Sequence, residues 1–409
     1  MLAIRQVVTR RVPPLGWLRA LSTSTGTLFT SALQLDLPED CKPRAVFRLL
    51  SVDGEMTPGI AVDKEEALKL YTNMVRLAAM DKVFFDAQRQ GRISFYMTSM
   101  GEEAAVIGSA AGLKPSDEVF AQYREQGVLM WRGFGLQRFA DQLFGNADDL
   151  GKGRQMPVHY GSKDLHFQTI SSPLATQIPQ SVGAAYGFKL AKNNRVVACY
   201  FGDGATSEGD FHAGMNFAST LGCPVVFICR NNGYAISTPA REQYHSVDGI
   251  AARARGYGMA SIRVDGNDVF AVKEATEQAR EYSVKRMSPI LLEILTYRVG
   301  HHSTSDDSTR YRSIDEIEEW RVKNNPINRL YLFLEKQGWL TSDQDKEMKE
   351  VERANVLDAL MKAERKPKLN AITAMFEDVY DEIPKNLVEQ REALRKHLER
   401  YPPQDDGHH

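Results

Sequence analysis

Two tripeptides close neighbouring apolar runs and carry the clearest chemistry in the chain. Gly202-Asp203-Gly204 follows "RVVACYF" (195–201), and Asn231-Asn232-Gly233 follows "CPVVFICR" (223–230). Glycines on both sides of Asp203 let the backbone turn tightly and approach a ligand closely. A helix starting there would offer free N–H groups to a phosphate. Either tripeptide alone is an ordinary turn. Together, with 26 residues between Gly204 and Asn231, they fit one βα unit. Adjacent parallel strands would then deliver a carboxylate and an amide side by side. Hard oxygen ligands beside a bound phosphate are what Mg²⁺ prefers. A third feature is the polar loop "HHSTSDDSTRYRS" (301–313), which opens on the adjacent pair His301 and His302. Imidazole titrates near neutrality and can move protons.

The elements that position these residues follow from hydrophobic period. Strands are expected at 195–201, 223–230, 261–265 and 289–297. They alternate with helices over 205–220 and 268–286. Near-continuous apolar strands separated by helices indicate a parallel sheet covered on both faces, with ligands at the strand carboxyl ends. The fold class expected is therefore α/β, a doubly wound, mostly parallel sheet. Upstream, Ala67, Leu70, Met74, Leu77, Met80 and Phe84 share a helical face, and Glu102–Ala111 is helical in pattern. Residues 36–62 read as an extension, 63–313 as the α/β domain and 314–409 as a helical region. In that last region 314–336, 343–365 and 386–400 suggest surface helices. No GxGxxG follows a strand, which argues against a dinucleotide-binding dehydrogenase.

Formal net charge is −2, so charge gives no case for nucleic-acid binding. Residues 1–35 hold Arg5, Arg10, Arg11 and Arg19 and no acid, with hydroxyls clustered at 22–27. Such a segment reads as a mitochondrial transit peptide. No apolar run approaches the roughly 20 residues that span a bilayer. Without those arginines, 47 bases face 53 acids, as in a mildly acidic matrix protein. The four cysteines form no CxxC pair, so Cys199, Cys223 and Cys229 read as buried small hydrophobes and Cys41 implies no disulfide framework. His408 and His409 read as terminal decoration.

The Gly-Asp-Gly and Asn-Asn spacing resembles the thiamine diphosphate motif. Reading outward, "FAQYREQG" (120–127), "SSPLATQIPQSVGAAYG" (171–187), "RNNGYAIST" (230–238) and "YRVGHHSTSDD" (297–307) resemble one family. It is the family of alpha subunits of branched-chain 2-oxoacid dehydrogenases, the decarboxylase component. The likeness runs from about residue 60 to the C-terminus. Sister enzymes acting on pyruvate or acetoin share the layout, and a non-catalytic paralogue would too.

The resemblance implies roles. Asp203, Asn232 and the Tyr234 carbonyl would ligate Mg²⁺; some relatives carry Glu at the first place. Arg124 and Arg230 would grip the diphosphate, with Tyr123 and His302 near it, backbone N–H groups from Gly204 and Ala205, and a contact from Ser172. Ser171, Pro173, Thr176 and Gln177 would hold K⁺, although Ser171 and Ser172 also read as caps of a helix starting near Leu174. Phe95 and Tyr123 would face the substrate tail. His302 would be the catalytic proton carrier; His301 reads as structural. Ser303 and Ser313 would be phosphorylated, each adding about −1.5 to −2 charge, by a regulatory kinase and reversed by a phosphatase. The implied substrate is a branched-chain 2-oxo acid. The acyl group would pass to a lipoyl-bearing acyltransferase core. Only one parallel-sheet module is legible, so the implied assembly is an α₂β₂ heterotetramer with a beta subunit completing the site.

Overall fold

The computed structural model describes residues 44–245 and 248–402, with residues 30, 31, 33 and 35 before them. The segment read as a transit peptide lies almost wholly outside the described residues, and Cys41 and the terminal histidines lie outside them.

The chain enters at Arg44, and Phe47 pairs with Val264 in a parallel bridge. Phe47 thereby joins the sheet beside the strand that carries Val264, donating to the Arg263 carbonyl at 2.9 Å and accepting the Asp265 N–H at 3.0 Å. Helix α1 (Lys64–Arg89) starts where Asp63 accepts the Glu66 N–H at 2.8 Å. It is followed by α2 (Glu103–Ala111), β1 (Glu118–Phe120), α3 (Gln126–Trp131), α4 (Leu136–Phe144), α5 (Gln177–Ala191), β2 (Val197–Gly202), α6 (Gly209–Leu221) and β3 (Val225–Asn231). A short hairpin, β4 (Tyr234–Ala235) and β5 (Thr238–Pro239), leads into α7 (Ala240–Gln243). Then come β6 (Ala260–Asp265), α8 (Val269–Arg286) and β7 (Ile290–Leu295). Five strands form one parallel sheet in the order β1-β2-β3-β7-β6.

Why β2 and β3 are apolar up to their carboxyl ends is visible in their burial. Ala198, Tyr200, Val226 and Ile228 point into one core cluster. Val197, Cys199, Phe201, Val225, Phe227 and Cys229 point into the other. Period-2 alternation thus feeds two helical layers, and neither face tolerates a polar run. Cys199, Cys223 and Cys229 are buried free thiols, as expected.

The C-terminal region departs only in part from the expectation of surface helices: Ile314–Val322 and Lys385–Arg400 bury no residue, but the two long helices between them do. A single pattern over 314–336 is two helices, α9 (Ile314–Val322) and α10 (Pro326–Lys336). Asn325 caps the second and Pro326 occupies its first turn, where a missing N–H costs nothing. Helix α10 buries Leu330, Phe333 and Leu334; α11 (Ser342–Glu364) buries Val356, Ala359, Leu360 and Ala363 in the main core. Arg76 clasps Glu352 through two bonds at 2.7 and 2.8 Å, fastening α11 to α1. Two short-range helices, α12 (Ala371–Ala374) and α13 (Lys385–Arg400), follow. No described helix is long and apolar enough to cross a membrane.

Gly108 shows how tightly the layers meet. A Cβ there would lie 2.8 Å from the Val269 carbonyl oxygen and 3.0 Å from the Val272 Cβ. Gly→Ala inside a helix ordinarily stabilises by about 0.8–1 kcal/mol. Here overpacking between α2 and α8 wins, so Gly108→Ala should destabilise by about 1–3 kcal/mol. A urea midpoint that rises would contradict this packing.

Candidate functional site

Register aligns the carboxyl ends of three strands: Gly202 lies beside Arg230, and Asn231 beside Leu295. The segments leaving β2, β3 and β7 therefore emerge together. They line a cavity of about 480 Å³ whose walls include Tyr123, Arg124, Ser172, Asp203, Gly204, Arg230, Asn232, Tyr234, Arg298 and His302. A larger cavity of about 940 Å³ lies around residues 149–169 but carries neither strand-end tripeptide.

The turn after β2 differs from expectation. Asp203–Ser207 is one 3₁₀ turn, and the α-helix begins only at Gly209. Glycine is required at 204, where a Cβ would come 2.9 Å from the Ala235 Cβ. Ala205 does not line the cavity; it is wholly buried in the second core cluster. Asp203 is 1% exposed and takes one side-chain hydrogen bond, from Gln243 Nε2 at 2.8 Å. Burial pushes its carboxyl up to about 6 against that bond. It is the sole carboxylate among the described residues lining the cavity.

The cationic side is richer than the sequence suggested. Arg124 is no surface residue: it is 2% exposed and donates to the Thr98 carbonyl at 2.7 Å and the His302 carbonyl at 2.6 Å. Arg230 is equally buried, and its charge is matched inside the protein. Nη1 donates to Glu102 and Nε to Glu125, both at 2.5 Å. Burial would lower its pKa, but those two carboxylates hold it above its ordinary value. Arg298 was not singled out from the sequence, although it sits in the matching block 297–307. It donates to the Ile236 carbonyl at 2.7 Å and the Tyr311 hydroxyl at 2.9 Å; its Nε is buried with no partner. No described carboxylate forms an ion pair with it, and burial, then the Arg124 charge, lower its pKa.

His302 is not poised at neutrality. Its Nδ1 accepts from Arg124 at 3.1 Å and from Arg298 at 3.3 Å. Guanidinium groups only donate, so Nδ1 is unprotonated and the ring proton sits on Nε2. Burial, then the two arginine charges, press its pKa down to about 3, against the pull of Asp306. The ring is thus a neutral Nε2–H donor. Before any anion binds, this histidine should not titrate between pH 5 and 8. A ¹⁵N-histidine NMR titration with a midpoint near 6.5 assigned to His302 would refute it. Tyr123 meets the ring edge-on, centroids 6.0 Å apart.

Other expected residues fall in separate places. Phe95 is absent from the cavity wall; it packs half-buried against the main core. Ser171 and Ser172 cap nothing, since α5 begins at Gln177 with no side-chain cap. The Thr176 hydroxyl turns instead to Ser171 Oγ at 3.5 Å and the Pro173 carbonyl at 3.1 Å. Gln177 Oε1 is buried with no partner. The three oxygens of Ser171, Pro173 and Thr176 gathered here are of the type that suits a monovalent cation, and Gln177 follows directly in sequence. His159 donates from Nδ1 to the Pro157 carbonyl, which leaves Nε2 to accept the Ser172 hydroxyl. Ser303 is half-buried, its Oγ accepting the Ser305 N–H at 3.2 Å. Ser313 is exposed and caps α9 through Glu316 N–H at 3.1 Å.

The donor chemistry fits a diphosphate with a hard cation. One carboxylate and one amide stand at neighbouring strand ends, facing two buried guanidinium groups that lack a close carboxylate partner; the nearest to Arg124 is Glu102 at 4.0 Å. No group of three or more His, Cys, Asp or Glu able to hold a metal alone exists among the described residues. Phosphate oxygens would have to complete such a shell, as Mg²⁺ sites commonly require. Fold and site thus define an α/β protein with a strand-end cavity whose donor groups suit a cation and a diphosphate together.

The class narrows by comparison. Residues 71–372 match the family described as dehydrogenase E1 component, and the chain belongs to that family. It is 54% identical over 376 residues to 2-oxoisovalerate dehydrogenase subunit alpha, mitochondrial, of Homo sapiens, covering 91% of this chain and 84% of that protein. Similarity extends to subunit alpha 1 of Arabidopsis thaliana (51%, 92% and 80% covered) and to the Caenorhabditis elegans subunit (50%, 91% and 87% covered).

Proposed function

We propose that this chain is the alpha subunit of a mitochondrial branched-chain 2-oxoacid dehydrogenase. It catalyses thiamine diphosphate-dependent oxidative decarboxylation of branched-chain 2-oxo acids and acyl transfer to a lipoyl group. The observation that carries this reading is the convergence of Asp203, Asn232, Tyr234, Arg124, Arg298 and His302 on one strand-end cavity, in a chain whose relatives bear the 2-oxoisovalerate dehydrogenase name.

When bound, thiamine diphosphate supplies a nucleophilic carbon and an electron sink for the departing CO₂. The chain's own residues do the rest. Asp203, the Asn232 amide oxygen and the Tyr234 carbonyl hold Mg²⁺. Arg124 and Arg298 set positive charge against the diphosphate. The remaining Nη2 of Arg230 makes no hydrogen bond to described residues and can join them, while its other nitrogens stay with Glu102 and Glu125. Neutral His302 offers an Nε2–H toward the reacting groups. Ser171, Pro173, Thr176 and Gln177 form the K⁺ site. Tyr123 remains on the cavity wall as a substrate contact; Phe95 does not. Phosphorylation of Ser303 would put new charge beside His302 and Asp306, and at Ser313 it would disturb the α9 cap. A beta subunit completes the site, and the acyltransferase core, a kinase and a phosphatase are the further partners.

The test is CO₂ release by the chain assembled with its beta subunit, given Mg²⁺ and thiamine diphosphate. A strong preference for 3-methyl-2-oxobutanoate over pyruvate is expected. Preference for pyruvate would move the protein to the sister activity, and no turnover would leave a non-catalytic paralogue.

A further inference from the structure

Asn232 can serve a cation only through its oxygen, yet its two amide ends have nearly the same shape. Something must decide which end faces outward. Its Nδ2 donates to Glu102 Oε1 at 2.9 Å, and its Oδ1 accepts the Tyr234 N–H at 3.2 Å. A carboxylate only accepts, so Glu102 admits only the NH₂ end of the amide. The Tyr234 N–H demands the oxygen at the other end, so the two constraints agree.

Glu102 is itself fixed. It is fully buried at the start of α2, with its N–H donated to the Ser99 carbonyl at 2.8 Å. Its second oxygen accepts Arg230 Nη1 at 2.5 Å. The adjacent Glu103 cannot replace it, because that carboxylate accepts the Gly101 N–H at 3.0 Å. We propose that Glu102 is the positioning residue of the cation site: it orients Asn232 oxygen-outward and locks Arg230 beside it. Glu102 does not line the cavity, so it acts through Asn232 and not on the ligand. The inference rests on the reading of Asp203, Asn232 and Tyr234 as the Mg²⁺ site.

The experiment is a double-mutant cycle on the assembled alpha–beta complex. It reads the Mg²⁺ concentration that half-saturates thiamine diphosphate binding, by calorimetry, with no turnover involved. Glu102→Gln should raise that concentration roughly 10–100-fold, the usual effect of losing a residue that orients a ligand. In an Asn232→Ala background the same change should add less than about twofold, since the intermediary is gone. An unchanged Mg²⁺ requirement, or an equal shift in both backgrounds, overturns the proposal. If Glu102→Gln does not assemble, Glu102→Asp decides by the same criteria. It keeps the charge for Arg230 but withdraws the carboxylate from Asn232 by one methylene. Should Asn232→Ala itself leave the Mg²⁺ requirement untouched, the cation-site reading fails, and not merely the role of Glu102.

Discussion

Asp203→Asn should reduce decarboxylation on the order of 10²–10³-fold while leaving the fold intact. The magnitude is that of removing one preorganised electrostatic contact from an enclosed site. Asp203 is the single carboxylate on the described cavity wall, so no neighbour can take its place as an anionic ligand. Asn has the same shape and keeps an oxygen, so loss of charge, not of packing, is what the variant reports. Stability should move the other way. A buried charge with one hydrogen-bond donor, Gln243, is costly in the cofactor-free protein. Removing it should hold or raise the thermal midpoint. Loss of activity together with a lowered midpoint would mean that Asp203 is structural.

Arg230→Ala should have the largest effect on stability. It strips the shared cation from Glu102 and Glu125, both 0% exposed. Breaking a buried ion pair by removing one partner costs about 3–5 kcal/mol, because the remaining charge stays desolvated. Glu125 also accepts the N–H groups of Gln122 and Arg124 at 2.9 and 3.1 Å, so the loss would loosen the segment carrying Tyr123 and Arg124. An exposed pair gives the contrast. Arg321→Ala, which removes a contact to Glu318 in solvent, should cost about 0.2–1 kcal/mol. Similar urea midpoints for both variants would show that the buried cluster is not a keystone.

The sheet was legible where burial is two-sided. "VVACYF" and "PVVFIC" have no polar interruptions, and each ends in glycine and hydrogen-bonding turn residues. The three-residue edge strand β1 was not, since Glu118-Val119-Phe120 is too short to show a period. Helices α3 and α4 were likewise missed. Helices α9 and α13 are surface helices, as read; α10 and α11 also read as surface because their outward charges outnumber the few apolar residues that reach the core. Of the residues on the cavity wall, Asp203 and Asn232 were picked out by local motifs and Arg124 and His302 by the family resemblance. Glu102 and Gln243 were not, because their roles come from hydrogen bonds spanning 130 and 40 residues. Arg298 lay in plain view, but only the fold shows that it is buried without a carboxylate partner. The lowered pKa of His302 was hidden for the same reason: it comes from burial first, and then from the Arg124 and Arg298 charges that the fold brings beside the ring.

The most direct measurement is thiamine diphosphate binding to the assembled complex, titrated with and without Mg²⁺. Saturable binding that needs Mg²⁺ and is lost in Asp203→Asn is the predicted result. Binding of equal strength in chelator, or in the Asp203→Asn complex, would show that the strand-end cavity is not where cation and diphosphate meet.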